Sequence, residues 1–209
     1  MLTSNEVKEM LINIADMYIE KKEELSKYDS VIGDGDHGIT MARGAKAAKE
    51  KLISMEEGTC REYFKAYGRT LVSTLGGAIG PLFGSIFIEL SKACKGTETF
   101  DINELSDGII DAEIKVCDLG GAKVGDKTMV DAIHPTAEAL LKSKEAGDDL
   151  KAAIKKAVEA ANLGVQATIP LIAKRGRSKY LQEKAIGHQD AGATSFYYFI
   201  KEMDKYINR

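Results

Sequence analysis

Apolar residues recur every three or four positions along most of this chain, the spacing of amphipathic helices, and no run alternates at the period of two that marks a half-buried strand. Thr3 and Glu6 stand in the order of a capping box, and Val7, Leu11, Ile14 and Tyr18 follow at helical spacing. This first helix is expected to end in the charged run 21–27. A second, over about 39–55, is rich in Ala and Lys, both good helix formers, and Gly58-Thr59 separates it from a third over about 61–73. Residues 82–90 are apolar nearly all round, as a central buried helix would be, and Pro81 suits its first turn. Asp101 and Glu104 form another capping box, which opens a helix to about 118. Val130, Ile133, Ala137, Leu140 and Leu141 mark the next helix, and Ile154, Ala157, Val158, Ala161 and Val165 the one after it. Phe196, Phe199, Ile200, Met203 and Ile207 mark the last.

The pattern predicts an all-α fold: a single-domain barrel or bundle, residues 1–209, of about eight helices whose short connections make neighbours antiparallel. In such an up-and-down arrangement alternate connections share an end. Polar, glycine-bearing segments fill the odd-numbered connections, around 29–38, 76–84, 120–129 and 174–192, whereas 57–58, 95–96 and 147–148 read as plain turns. The glycine-bearing segments are therefore expected at one end, where separate weak signals become one candidate site.

Composition narrows what that site serves. Lys and Arg number 29 against 32 Asp and Glu, a net charge near −3, which argues against a general nucleic-acid binder. Cys60, Cys94 and Cys117 are far apart and lack CxxC spacing, as inert thiols in a reducing compartment would be. The polar start shows no signal peptide and no stretch is apolar enough to span a membrane, so a soluble, cytoplasmic protein is expected.

The segment Asp29-Ser30-Val31-Ile32-Gly33-Asp34-Gly35-Asp36-His37-Gly38 holds three carboxylates within eight residues and leads into a helix. Carboxylates this close repel, and a cation that takes oxygen ligands, Mg²⁺ or Ca²⁺, would offset the repulsion. The following helix start attracts anions. Asp and Gly in this order also build ordinary capped turns, so both readings stand at this point. The order is not that of an EF-hand, and no Walker-type phosphate loop occurs. Gly76-Gly77-Ala78-Ile79-Gly80-Pro81 offers backbone N–H groups to a ligand or, equally, a tight helix–helix turn. Lys174-Arg175-Gly176-Arg177-Ser178-Lys179 is either a phosphate or base clamp or a solvated charge run. His37 and His188 are candidates for metal or phosphate contacts or for orienting nearby backbone, whereas His134 reads as a surface or hydrogen-bonded histidine.

Gly33 to Gly38 preceded by Asp29, the run 76–84, Gly125-Asp126-Lys127-Thr128-Met129, and Ile186-Gly187-His188-Gln189-Asp190-Ala191-Gly192-Ala193-Thr194-Ser195 together resemble the nucleotide-binding L subunit of dihydroxyacetone kinase, the DhaL family. The likeness spans essentially the whole chain in family order. It implies a barrel of antiparallel helices with the nucleotide at one end, and two Mg²⁺ ions on Asp29, Asp34 and Asp36. It also implies ADP or ATP held by His37, Gly38, Ile39, Thr40, Ala78, Ile79, Gly120, Met129, Arg177, Asp190, Ala191 and Gly192. The implied partners are a K subunit that carries the keto-sugar substrate on a histidine, and a phosphohistidine protein of the phosphotransferase system as donor. A homodimer is compatible with the sequence.

The family's usual Thr-Asn after His-Gly reads Ile39-Thr40 here, and its Ser before Gly-Pro-Leu reads Ile79. Losing a hydroxyl bonded to phosphate costs about 1.5–3 kcal/mol, so nucleotide affinity is expected to fall roughly ten- to a hundredfold, with Lys179 compensating in part. A kinase subunit leads. A non-catalytic nucleotide-binding regulator is the second reading, and a plain helical scaffold the third.

Overall fold

The computed structural model describes residues 1–96 and 98–209. Among them run nine α-helices: α1 (Ser4–Glu20), α2 (Lys22–Ile32), α3 (His37–Ile53), α4 (Cys60–Thr74), α5 (Ile79–Ala93), α6 (Ile102–Gly120), α7 (Val130–Glu145), α8 (Leu150–Thr168) and α9 (Ala191–Ile207). A 3₁₀ segment, Arg177–Ala185, lies between α8 and α9.

Eight of these helices close a ring. Each of α3 to α8 packs on the next, α1 packs on α3, and α9 returns to α1. Aromatic side chains fill the interior. Phe87 of α5 stacks on Tyr67 of α4 with centroids 4.3 Å apart and reaches Phe199 of α9 at 5.1 Å. Tyr18 of α1 meets Phe83 of α5 edge-on at 6.3 Å. All of these side chains are buried, and burial of one such ring contributes on the order of 2 kcal/mol or more. The apolar run 82–90 thus supplies the face of α5 that looks into the barrel.

Close approach of the backbones tightens the ring where glycine stands. A Cβ on Gly164 of α8 would lie 2.3 Å from the Asp131 carbonyl of α7. Pro135 sits inside α7 and has no N–H to return to that carbonyl, so α8 nests against the point where the α7 ladder is open.

Two expectations are corrected. The charged run 21–27 does not end the first helix but forms a separate one: Lys21 breaks the axis, Glu23 and Glu24 occupy the first turn of α2, and Lys21 Nζ lies 2.8 Å from Glu24. Acidic residues favour a helix start, so a run read as solvated end is itself helical. Asp29 consequently stands in the last turn of a helix, not in a loop. The second correction is a two-residue antiparallel pair, β1 (Leu2–Thr3) with β2 (Thr99–Phe100), too short to leave an alternating pattern. No helix among the described residues is long and apolar enough to cross a membrane.

Candidate functional site

The connections α2–α3, α4–α5, α6–α7 and α8–α9 meet at one end of the ring around a cavity of about 340 Å³. Its wall includes Asp29, Asp34, Asp36, His37 and Thr40 from the first, and Gly76 to Ile79 from the second. Gly120, Ala122 and the stretch 127–130 come from the third, and 175–178 with 190–192 from the fourth.

The two ends of the ring treat their helix starts differently. At the far end, α1, α4, α6 and α8 are each capped by a side chain: Thr3, Thr59, Asp101 and Asp149. At the cavity end, α3, α5 and α7 begin at Asp36, Ala78 and Met129 with no side-chain cap, and only α9 has one, from Asp190. A start without such a cap presents the positive end of the helix dipole to an anion, although the first N–H of α3 is taken by Asp29 Oδ2 and that of α7 by Thr128 Oγ1, which leaves α5 as the start whose N–H donors face outward.

Beside those donors stand the acids. One carboxylate oxygen from each of Asp29, Asp34 and Asp36 lies within 4.8 Å of the others. The loop geometry is enforced by glycine: a Cβ on Gly33 would fall 2.2 Å from Asp29 Oδ1, and Gly35 turns with φ +76°. Asp29 Oδ2 accepts the His37 N–H at 3.2 Å, and Asp34 is ion-paired with Arg177. Three converging hard oxygen donors fit a Mg²⁺-type ion. The small apolar cluster of Ile32, Ala173 and Ala185, with Leu181 against it, holds this loop next to the Arg177 segment.

His37 is buried, its Nε2 is 2.7 Å from Ser195 Oγ, and its ring meets Phe83. Burial holds it down to about 4, against the pull of Asp29, so the imidazole is neutral near pH 7. Asp190 is pushed the other way, up to about 6, by burial, while its bond from the Ala193 N–H opposes the shift. Asp131 fastens the third connection by accepting the Gly125 N–H at 2.6 Å and the Thr128 N–H at 2.8 Å. Asp126 faces Lys174 at 3.3 Å and Arg175 at 3.7 Å, which ties the third connection to the fourth.

Of the residues the sequence singled out, Gly38 and Ile39 are not on the wall. Gly38 faces α2, where a Cβ would come within 2.0 Å of the Lys22 carbonyl. Ile39 is 53% exposed on the outer side of α3, so the missing hydroxyl there lies outside the cavity, whereas Ile79 is part of it. Lys179 is off the wall as well, its ammonium over the Tyr180 ring at 4.9 Å. His134 pairs with Glu113 on α6, away from the cavity. His188 offers its carbonyl, not its ring, to the assembly.

Lys127, which the sequence singles out only as part of the 125–129 motif, has a role of its own in the structure. It is buried on the wall with φ +59°, and its ammonium donates to the carbonyls of Thr168 at 2.7 Å and His188 at 2.6 Å. Burial lowers its pKa, while Asp190 and Asp131 act to raise it. Its place between an acid and Thr128 in a glycine-rich segment was the available signal.

A family model for the DAK2 domain matches residues 31–205. The chain belongs to the DAK2 domain family. Among DAK2-domain relatives, the chain is 36% identical to the PEP-dependent dihydroxyacetone kinase ADP-binding subunit DhaL of Escherichia coli, over 97% of this chain and 96% of that one. It is 37% identical to the PTS-dependent counterpart of Lactococcus lactis, over 97% of each. The dihydroxyacetone kinase of C. freundii, solved in complex with AMP-PNP and Mg²⁺, superimposes with a TM-score of 0.71 at 23% identity. That match covers 95% of this chain but 33% of the longer kinase, and it shows a shared all-helical fold.

Proposed function

We propose that this DAK2-domain chain is the nucleotide-binding subunit of a dihydroxyacetone kinase, acting in the cytoplasm as one domain over residues 1–209. It would bind ADP or ATP with Mg²⁺ and phosphorylate dihydroxyacetone, or a related short keto-sugar, held on a separate K subunit. A phosphohistidine protein of the phosphotransferase system would recharge the bound ADP. Relatives named as ADP-binding subunits that match end to end support the assignment of the subunit. The observation that carries the chemistry is the set of uncapped helix starts facing the converged acids.

Phosphoryl transfer needs positioning and charge neutralisation, not a protein nucleophile. Asp29, Asp34 and Asp36 would hold two Mg²⁺ ions, which supply charge neutralisation to the phosphates when bound. The N–H groups at the start of α5 would take phosphate oxygens, the positive end of the α7 dipole would favour them, and Arg177, released from Asp34, would add a cation. Neutral His37, bonded to Ser195, keeps the α3 start fixed without bringing a second positive charge. Ile79 would pack where the family presents a hydroxyl, and that substitution favours the second reading, a regulator that binds Mg-nucleotide without turnover.

A coupled assay with a K subunit and the phosphohistidine donor decides between them. The expected result is phosphorylated dihydroxyacetone formed only when this chain is present. Tight Mg-ADP binding with no phosphorylated product would leave the regulator, and no binding at all would remove both.

A further inference from the structure

A buried lysine with no opposite charge in direct contact needs an explanation, because an unpaired ammonium away from water is costly unless its donors are satisfied. Lys127 is 1% exposed, and its ammonium is answered by main-chain carbonyls: Thr168 at 2.7 Å, His188 at 2.6 Å and, more weakly, Ile169 at 3.4 Å. Thr168 and Ile169 end α8, where the last carbonyls lack helical partners and the dipole is negative. His188 lies in the turn that leads into α9. Three separate chain segments therefore converge on one cation. The backbone of Lys127 is held at φ +59°, a strained conformation that a non-glycine residue adopts when its surroundings require it.

The segment of Lys127 and the turn at His188 also carry groups of the cavity wall. Lys127 is followed by Thr128 and Met129 at the α7 start, and the turn at His188 is followed by Asp190, Ala191 and Gly192 at the α9 start. Neighbouring bonds depend on the same alignment: Gly187 N–H donates to Ile169 O at 2.9 Å, and Asp190 N–H to Thr168 Oγ1 at 3.0 Å.

We infer that Lys127 is a positioning residue: its ammonium stands in for a bound monovalent cation, and by gathering the α8 carbonyls and the turn at His188 it fixes the α7 and α9 helix starts relative to each other. The effect on nucleotide rests on the function proposed above, but the effect on the protein alone does not.

The test uses the full chain with Lys127→Met, which keeps the apolar stem and removes the charge. Amide exchange without nucleotide is expected to speed up at least tenfold at Gly187 and Asp190, with helical circular dichroism retained and Mg-ADP affinity lowered at least tenfold. In Lys127→Ala, ethylammonium is expected to restore both exchange protection and affinity, whereas ethanol at the same concentration is not. An alanine variant that folds only with the amine present gives the same answer. Unchanged exchange at Gly187 and Asp190 in the methionine variant, or equal rescue by amine and alcohol, would overturn the inference. If exchange responds as expected while the unaltered protein binds no Mg-ADP, the positioning role stands and the nucleotide reading falls.

Discussion

Asp34→Ala is expected to weaken magnesium-dependent ADP binding at least a hundredfold while the helices and the melting temperature stay in place. Asp34 is the cleanest of the three acids to remove. Asp29 also accepts the His37 N–H, and Asp36 stands at the α3 start, so their loss would disturb the loop as well as the charge. Asp34 sits between two glycines, and its ion pair is with Arg177, a side chain 68% exposed. Such solvent-facing pairs contribute about 0–1 kcal/mol, and relief of repulsion among the remaining carboxylates offsets part of that. Binding should respond very differently. A hard cation loses one of three converging anionic ligands, and affinity for Mg-ADP is expected to fall on the order of a hundredfold or more, about 3 kcal/mol. Titration calorimetry with ADP in the presence and absence of Mg²⁺, beside a thermal melt, reads both quantities. Unchanged Mg-ADP binding would remove the assigned role of the acids.

Gly38→Ala should damage stability and binding together. The new Cβ would lie 2.0 Å from the Lys22 carbonyl and 2.7 Å from Ser26 N and Oγ. Backbone on the opposing helix cannot swing aside, so α3 must move off α2. Overpacking of this kind costs about 1–3 kcal/mol, and the contact with main chain places this variant at the upper end. For a chain of this size that is a fall of roughly 6–12 °C in melting temperature. Asp29 is on α2, whereas Asp36 and His37 open α3, so the same shift spreads the acids and weakens Mg-ADP binding. Family resemblance places Gly38 beside the nucleotide, a role whose loss would leave the ligand-free melt untouched. A melt without nucleotide separates the two accounts.

Much of this was legible in the amino acids because the fold repeats one rule. Helical spacing and the capping boxes at Thr3 and Asp101 locate helix starts, and the parity of connections then sends the glycine-bearing segments to one end, where the structure has them. What escaped was of a different kind. The α2 helix has few apolar anchors, with Leu25 and Ile32 its buried residues, so its pattern resembles a solvated run. The role of Lys127 escaped because charge signals surface, and burial of the side chain depends on carbonyls more than forty residues away in sequence. Gly38 looks the same in sequence whether it admits a ligand or another helix, and only the position of the Lys22 carbonyl decides.

The most direct test is anomalous diffraction from crystals grown with ADP and Mn²⁺, which accepts the same oxygen ligands as Mg²⁺. Density for manganese between Asp29, Asp34 and Asp36, with the ADP phosphates against the starts of α5 and α7, is the predicted result. Nucleotide bound at another face of the barrel, or at this end with no ion on the three acids, would contradict it.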